Sequence, residues 1–226
     1  MAGLFFLLTI LGGIFAQGFV SERLINFSDA AVTATNILTH KGLFQLGFTV
    51  YLIEMACQIA TLVLFYVLLK PVSKSVALLY AFLELTGCII KTFARVFFIA
   101  PLFVLGGASS LSGFSSEQLQ TLALILLKVN DQGAAVALSF FGFSTVLSGY
   151  LIFRSTFLPS WLGVLAMISG LGWLTFLYPP LGYRAFPFAA LIGLLSSAAT
   201  IFWLLVFAVN EDKWKARAAA YAAAAS

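Results

Sequence analysis

The chain has 226 residues, of which 62% are hydrophobic and 9% charged, where a soluble domain carries about 25% charged residues. Too few polar side chains remain to cover a soluble fold of this size, so the lipid bilayer is the expected solvent for much of the surface. The formal net charge of +4 is small and forms no basic stripe, which excludes nucleic acid as a partner, and the two cysteines, Cys57 and Cys88, both sit in apolar runs that argue against a disulfide framework.

A spanning helix needs about 20 mostly apolar residues. Six stretches qualify, at about 3–20, 42–69, 75–105, 132–153, 159–178 and 187–209. The sequence therefore predicts an all-α polytopic membrane protein: a six-helix transmembrane bundle over 1–210 and a charged, Ala-rich tail over 211–226. The first stretch has no Lys or Arg ahead of its apolar run and reads as a retained helix rather than a cleaved signal peptide.

After the first span, Ser28 suits an N-cap for an Ala-rich helix. Along that helix Asp29, Thr33, Asn36 and His40 recur at steps of four, three and four, which gives one polar face, with Ala30, Ala34 and Ile37 on another. A short amphipathic helix at the outer interface is expected there. Pro71, Pro159 and Pro187 stand at span edges, whereas Pro101 lies inside the third span near its end and should kink it. Ser115 and Gln118 have the spacing of a capping box. A helix running from there to Phe153 would be about 57 Å long at about 1.5 Å per residue, too long for one span. Residues 116–129 are thus expected at the surface, with the span beginning near Asp131. The small residues Ala166 and Gly170, and Gly193 and Ser197, are spaced for close helix packing. The tail reads as an extension of the sixth helix.

Six Lys or Arg (Lys70, Lys74, Arg154, Lys213, Lys215, Arg217) fall on one side of the spans and four (Arg23, Lys41, Lys128, Arg184) on the other. The positive-inside rule then puts both termini in the cytoplasm.

Charge inside the spans is the informative feature. The third holds Glu84, Cys88, Lys91 and Arg95 at steps of four, three and four, all on one helix face, and the second holds Glu54 and Gln58 four apart. Lys91 and Glu54 stand at matching depths, so an ion pair fits geometrically. Arg95 lies about 6 Å further outward, within reach of Asp131. A central Lys, Arg or Asp costs about 2.5–3.5 kcal/mol to insert, so such residues should face the interior, pair, or line a wet cavity. The pattern predicts a polar pocket among the second, third and fourth spans, open to the outer side. His40, Asn36, Asn130 and Asp131 would form its rim, and Glu54, Gln58, Lys91 and Arg95 its floor, with Glu84 on the face that carries Lys91 and Arg95.

Three readings stay open at this point. In the first, the pocket binds or passes a small amphipathic or anionic ligand, a lipid headgroup among the candidates, which meets Arg95 while Glu54 holds Lys91. In the second, the charges only fasten helices, in a structural subunit that packs on a membrane-protein partner or on its own copy. In the third, Glu54, His40 or Asp131 serves as the acid or base of a membrane enzyme. No catalytic residue is assigned. One His cannot build a three-His zinc site, two-His haem ligation is excluded by count, and no nucleotide-binding glycine loop or nucleophile elbow occurs, so no cofactor or metal is expected.

Two sets of residues resemble a known family. The run Asp29-Ala30-Ala31 through Asn36, Ile37 and His40 to Leu43-Phe44-Gln45-Leu46-Gly47-Phe48 is the first. The second is Phe140-Phe141-Gly142, Gly149-Tyr150-Leu151-Ile152-Phe153-Arg154-Ser155, Leu158-Pro159 and Leu162-Gly163. Together, over about residues 5–205, they resemble the bacterial integral-membrane family catalogued as domain of unknown function 4386. The resemblance implies a multi-helix protein of the bacterial inner membrane and no particular activity. In that pattern a His stands near the position of Asn130, and Lys91 and Arg95 are not part of it.

Overall fold

The computed structural model describes residues 1–106 and 113–225, so Ser226 of the predicted tail lies outside it. Among the described residues all regular structure is helical. Six helices are long and apolar enough to cross a membrane: Ala2–Leu24, Lys41–Leu69, Lys74–Leu105, Ser116–Arg154, Ser160–Leu177 and Pro179–Val206. The chain is an all-α, six-span membrane bundle.

In chain order the elements are α1 (Ala2–Gly13), a π-helical segment (Ile14–Ser21), α2 (Glu22–Leu24), α3 (Ala30–Thr39), α4 (Lys41–Leu69), α5 (Lys74–Ile99), α6 (Pro101–Leu105), α7 (Ser116–Arg154), α8 (Ser160–Leu174), a 3₁₀ turn (Thr175–Leu177), α9 (Pro179–Val206) and α10 (Glu211–Ala225). Pro101 opens α6 at its first turn, where its missing amide costs nothing, so the third span breaks at Ala100 as Pro101 demands. The Ser115–Gln118 capping box forms in both directions: the Ser115 amide donates to Gln118 Oε1 at 2.8 Å, and the Gln118 amide donates to Ser115 Oγ at 3.2 Å.

Four local expectations are corrected. Asp29, not Ser28, caps α3: its carboxylate accepts the Val32 amide at 2.9 Å, while the Ser28 amide is tied to Asn26 Oδ1. Thr33 leaves the expected polar face and is buried with Ala34 and Ile37, because it exchanges hydrogen bonds with the Asn26 backbone. Pro187 lies inside α9, which starts at Pro179, so the helix forgoes one amide bond about two turns in. The tail is a separate helix. Ala208 takes a left-handed conformation (φ 57°) that stops α9, and Asn210 Oδ1 accepts the Lys213 amide at 3.0 Å to start α10.

The described chain forms two compact units. Unit 1 comprises Met1–Leu8, Cys57–Cys88 and, within the described residues, 135–225. Its core gathers Phe65, Leu69, Tyr80, Leu151, Phe157 and Leu162. Helices α7 and α8 meet there backbone to backbone: a Cβ on Gly163 would lie 2.5 Å from the Gly149 carbonyl oxygen, and one on Gly170 would lie 2.8 Å from that of Gly142. Trp214 of α10 packs on this core, and its indole N–H satisfies the orphan Leu68 carbonyl at the end of α4, at 3.0 Å.

Unit 2 comprises Thr9–Ala56 and Ile89–Ala134. Ala16, Val20 and Leu24 recur every four residues and pack with Ile37, Phe44, Tyr51, Phe98 and Leu127. Phe44 stacks on Phe98 with centroids 4.5 Å apart, and Tyr51 meets the same ring edge-on at 5.3 Å. Helix α7 is unbroken over 39 residues, and its first half joins this unit through buried Ala123, Leu127 and Asn130. That stripe, at steps of four and three, is why the predicted surface segment is a packed helix.

A buried charged cluster in unit 2

Three small-residue contacts fix the geometry of unit 2. A Cβ on Gly47 would fall 2.7 Å from Val20 Cγ1, so α4 lies close against the π-helical segment. One on Gly13 would lie 3.2 Å from Glu54 Oε1, so α1 backs the Glu54 carboxylate with bare backbone. One on Gly133 would lie 2.6 Å from Ala94 Cβ, which draws α7 against α5 beside Arg95 and Asn130.

Within that frame α4 and α5 run antiparallel and set their polar residues opposite one another. Lys91 Nζ lies 2.6 Å from Glu54 Oε1, with Glu54 buried and Lys91 partly so. One turn further along α5, Arg95 is only 3% exposed. Its guanidinium lies over the Tyr51 ring at 3.5 Å, and its Nη1 donates to Asn130 Oδ1 at 2.9 Å. Glu54 and Asp131 are close enough to act on Arg95 electrostatically. Two buried polar atoms of the cluster, Glu54 Oε2 and Arg95 Nε, have no hydrogen-bond partner among the described residues.

The Tyr51 hydroxyl continues the network. It donates to Gln17 Oε1 at 2.8 Å and lies 3.1 Å from Ser21 Oγ. Both residues belong to the π-helical segment, whose wide turns are closed by the Glu22 amide on the Gln17 carbonyl. π-Helical turns occur frequently at functional sites.

The remaining predicted site residues take other places. Gln58 and Glu84 belong to unit 1, where Gln58 Nε2 donates to Glu84 Oε1 and Ser144 Oγ hydrogen-bonds Glu84 Oε2. Asn36 Nδ2 donates to the Leu24 carbonyl at 3.3 Å and ties α3 to the end of the first span. His40 is exposed, with Nδ1 at 3.2 Å from the Asn36 carbonyl oxygen. An open groove of about 490 Å³ on the first span is lined by Leu11, Ile14, Phe15, Gly18 and Phe19, and none of the predicted site residues lines it.

Sequence reasoning missed Tyr51, Gln17, Ser21 and Ser144. Tyr51 could have been found, because it precedes Glu54 by three and Gln58 by seven and so shares their helix face. Gln17 carried the signal of an amide side chain within a spanning segment.

The six spans and the charges buried among them define the class, a polytopic integral membrane protein. The chain belongs to the family described as domain of unknown function (DUF4386), whose model matches residues 1–208. No curated protein and no solved structure matches it. Family and fold together support a bacterial membrane location.

Proposed function

We propose that this protein is a non-enzymatic membrane binding protein that receives a small anionic or amphipathic ligand at Arg95. The carrying observation is that guanidinium: it is 3% exposed, lies on an aromatic face, and its Nε meets no acceptor. A planar, permanently charged fork held this way offers its remaining donors to a carboxylate or phosphate. Lys91 serves a different end, because Glu54 already holds it at 2.6 Å. We further propose, from the loop charges, that both termini lie in the cytoplasm of the bacterial inner membrane, which opens the Arg95 end of the site outward.

The test is native mass spectrometry of gently purified protein, wild type beside Arg95→Ala. A small molecule or lipid retained by wild type and lost in the variant is the expected result. If neither retains anything and Arg95→Ala only lowers thermal stability, the charges are fasteners and the chain is a structural or accessory subunit. That second reading is favoured by the direct Lys91–Glu54 pair. Orientation is checked separately by labelling Ser73→Cys and Ser115→Cys in whole cells with an impermeant thiol reagent. Only the second should react.

A further inference from the structure

Resting on the reading of Arg95 as an anion anchor, we infer that the ligand is amphoteric. It presents an anionic oxygen to Arg95 and, about one helical turn away, an N–H or O–H donor to Glu54. Two orphan atoms of opposite kind carry this. Arg95 Nε–H can only donate, and Glu54 Oε2, on a carboxylate whose other oxygen pairs with Lys91, is the acceptor. Both are buried and neither has a partner. Glu54 is 4% exposed, and its other oxygen is taken by Lys91.

The register of α4 against α5 puts the two atoms within reach of one small molecule. Tyr51 faces Arg95 at 3.5 Å and Glu54 faces Lys91 at 2.6 Å, so Glu54 and Arg95 occupy a diagonal of the antiparallel pair. Lys91 and Arg95 are separated by a rise of about 6 Å. Two hydrogen bonds of about 2.9 Å, joined by a few covalent bonds, span such a diagonal. Gly13 backs the Glu54 carboxylate and Gly12 its stem, both without side chains, and the π-helical segment begins directly after them.

Charge selects the class. With Lys91 already balancing the charge of Glu54, a simple anion at Arg95 would leave Glu54 Oε2 unpaired, and a simple cation at Glu54 would leave Arg95 Nε unpaired and stand beside two like charges. A molecule carrying both an anionic oxygen and a donor satisfies both. Free amino-acid-like zwitterions have this chemistry, and so do lipid headgroups that pair a phosphate with a protonated amine.

Matched probes test it on the full chain in phosphatidylcholine nanodiscs. Glycine is set against betaine, and phosphoethanolamine against phosphocholine. Each pair shares its anionic group and differs in whether the nitrogen carries hydrogens. In at least one pair the N–H-bearing member should bind wild type about tenfold more tightly, the expected weight of one charge-assisted hydrogen bond. Glu54→Gln should erase that preference, and Arg95→Ala should lose both members. The lipid source is tested by native mass spectrometry from mixed discs, where phosphatidylethanolamine should be retained over phosphatidylcholine. Preference among the soluble probes points to a free molecule, and preference among lipids alone points to a headgroup. Equal binding within both pairs and no lipid preference overturn the amphoteric ligand, even where Arg95→Ala still removes a ligand and so upholds the anion site. Because the pairs are compared on wild type, the test survives a Glu54→Gln variant that does not fold.

Discussion

Two buried carboxylates, Glu54 in unit 2 and Glu84 in unit 1, are treated differently by the fold. Each oxygen of Glu84 has a partner, Gln58 on one side and Ser144 on the other, which joins α4, α5 and α7 within unit 1. Among the described residues Glu54 has Lys91 on one oxygen and no hydrogen-bond partner on the other, with a second such atom, Arg95 Nε, about a helical turn away. A carboxylate with a partner on each oxygen meets its burial cost within the fold and holds helices in register. A half-saturated one costs stability where it stands, and a fold tolerates that most readily where the unmet valence is used. Under the function proposed above, that difference separates a fastening from a site.

The largest effect should come from breaking the Lys91–Glu54 ion pair. Lys91→Met leaves the Glu54 carboxylate buried without its counter-charge, which should cost about 3 kcal/mol or more. Adding Glu54→Gln removes the stranded charge and should recover at least half of that loss. Thermal denaturation midpoints in one detergent provide the measurement. A single variant as stable as wild type would mean that the pair does not bind α4 to α5, and the contrast with Glu84 would collapse.

A smaller loss is expected in unit 1. Glu84→Ala strands the Gln58 amide and frees the Ser144 hydroxyl, a cost of about 1–3 kcal/mol for buried polar groups left without their partner. Because this network is a fastening, the variant should retain whatever ligand wild type retains in native mass spectrometry, whereas Arg95→Ala should not. Loss of ligand in Glu84→Ala would make the two carboxylates parts of one site.

The sequence made the spans legible because each is an apolar run bounded by charge or proline, and bilayer thickness converts such runs into helices with little ambiguity. Lys91 and Glu54 could be matched by depth alone, since one coordinate suffices to align two spanning helices. Depth does not report which face of a third helix turns inward, so the sequence left Gln58 with Glu54, whereas the structure gives it to Glu84. Tyr51 was hidden for a different reason: among 24 Phe and 7 Tyr, an aromatic reads as packing until the cation on its face is seen. The end of α9 was illegible because Ala208 adopts a conformation that sequence patterns reserve for glycine.

That last residue offers the finest test of whether the two carboxylates can be varied apart. Ala208 sits at φ 57°, where its amide and that of Phe207 both reach the Trp203 carbonyl, at 3.0 and 2.9 Å. A Cβ in this region costs about 1–2 kcal/mol, and glycine escapes that penalty while giving back about 0.5–1 kcal/mol in chain entropy. Ala208→Gly should therefore raise stability by about 0.5–1 kcal/mol, read as a higher thermal midpoint. The gain belongs to unit 1, where the turn delivers Trp214 to the Leu68 carbonyl. It adds nothing to Arg95 or Glu54, so ligand retention should not change. A variant that gains stability and also binds more tightly would show that the fastening around Glu84 and the half-met carboxylate of Glu54 are energetically coupled.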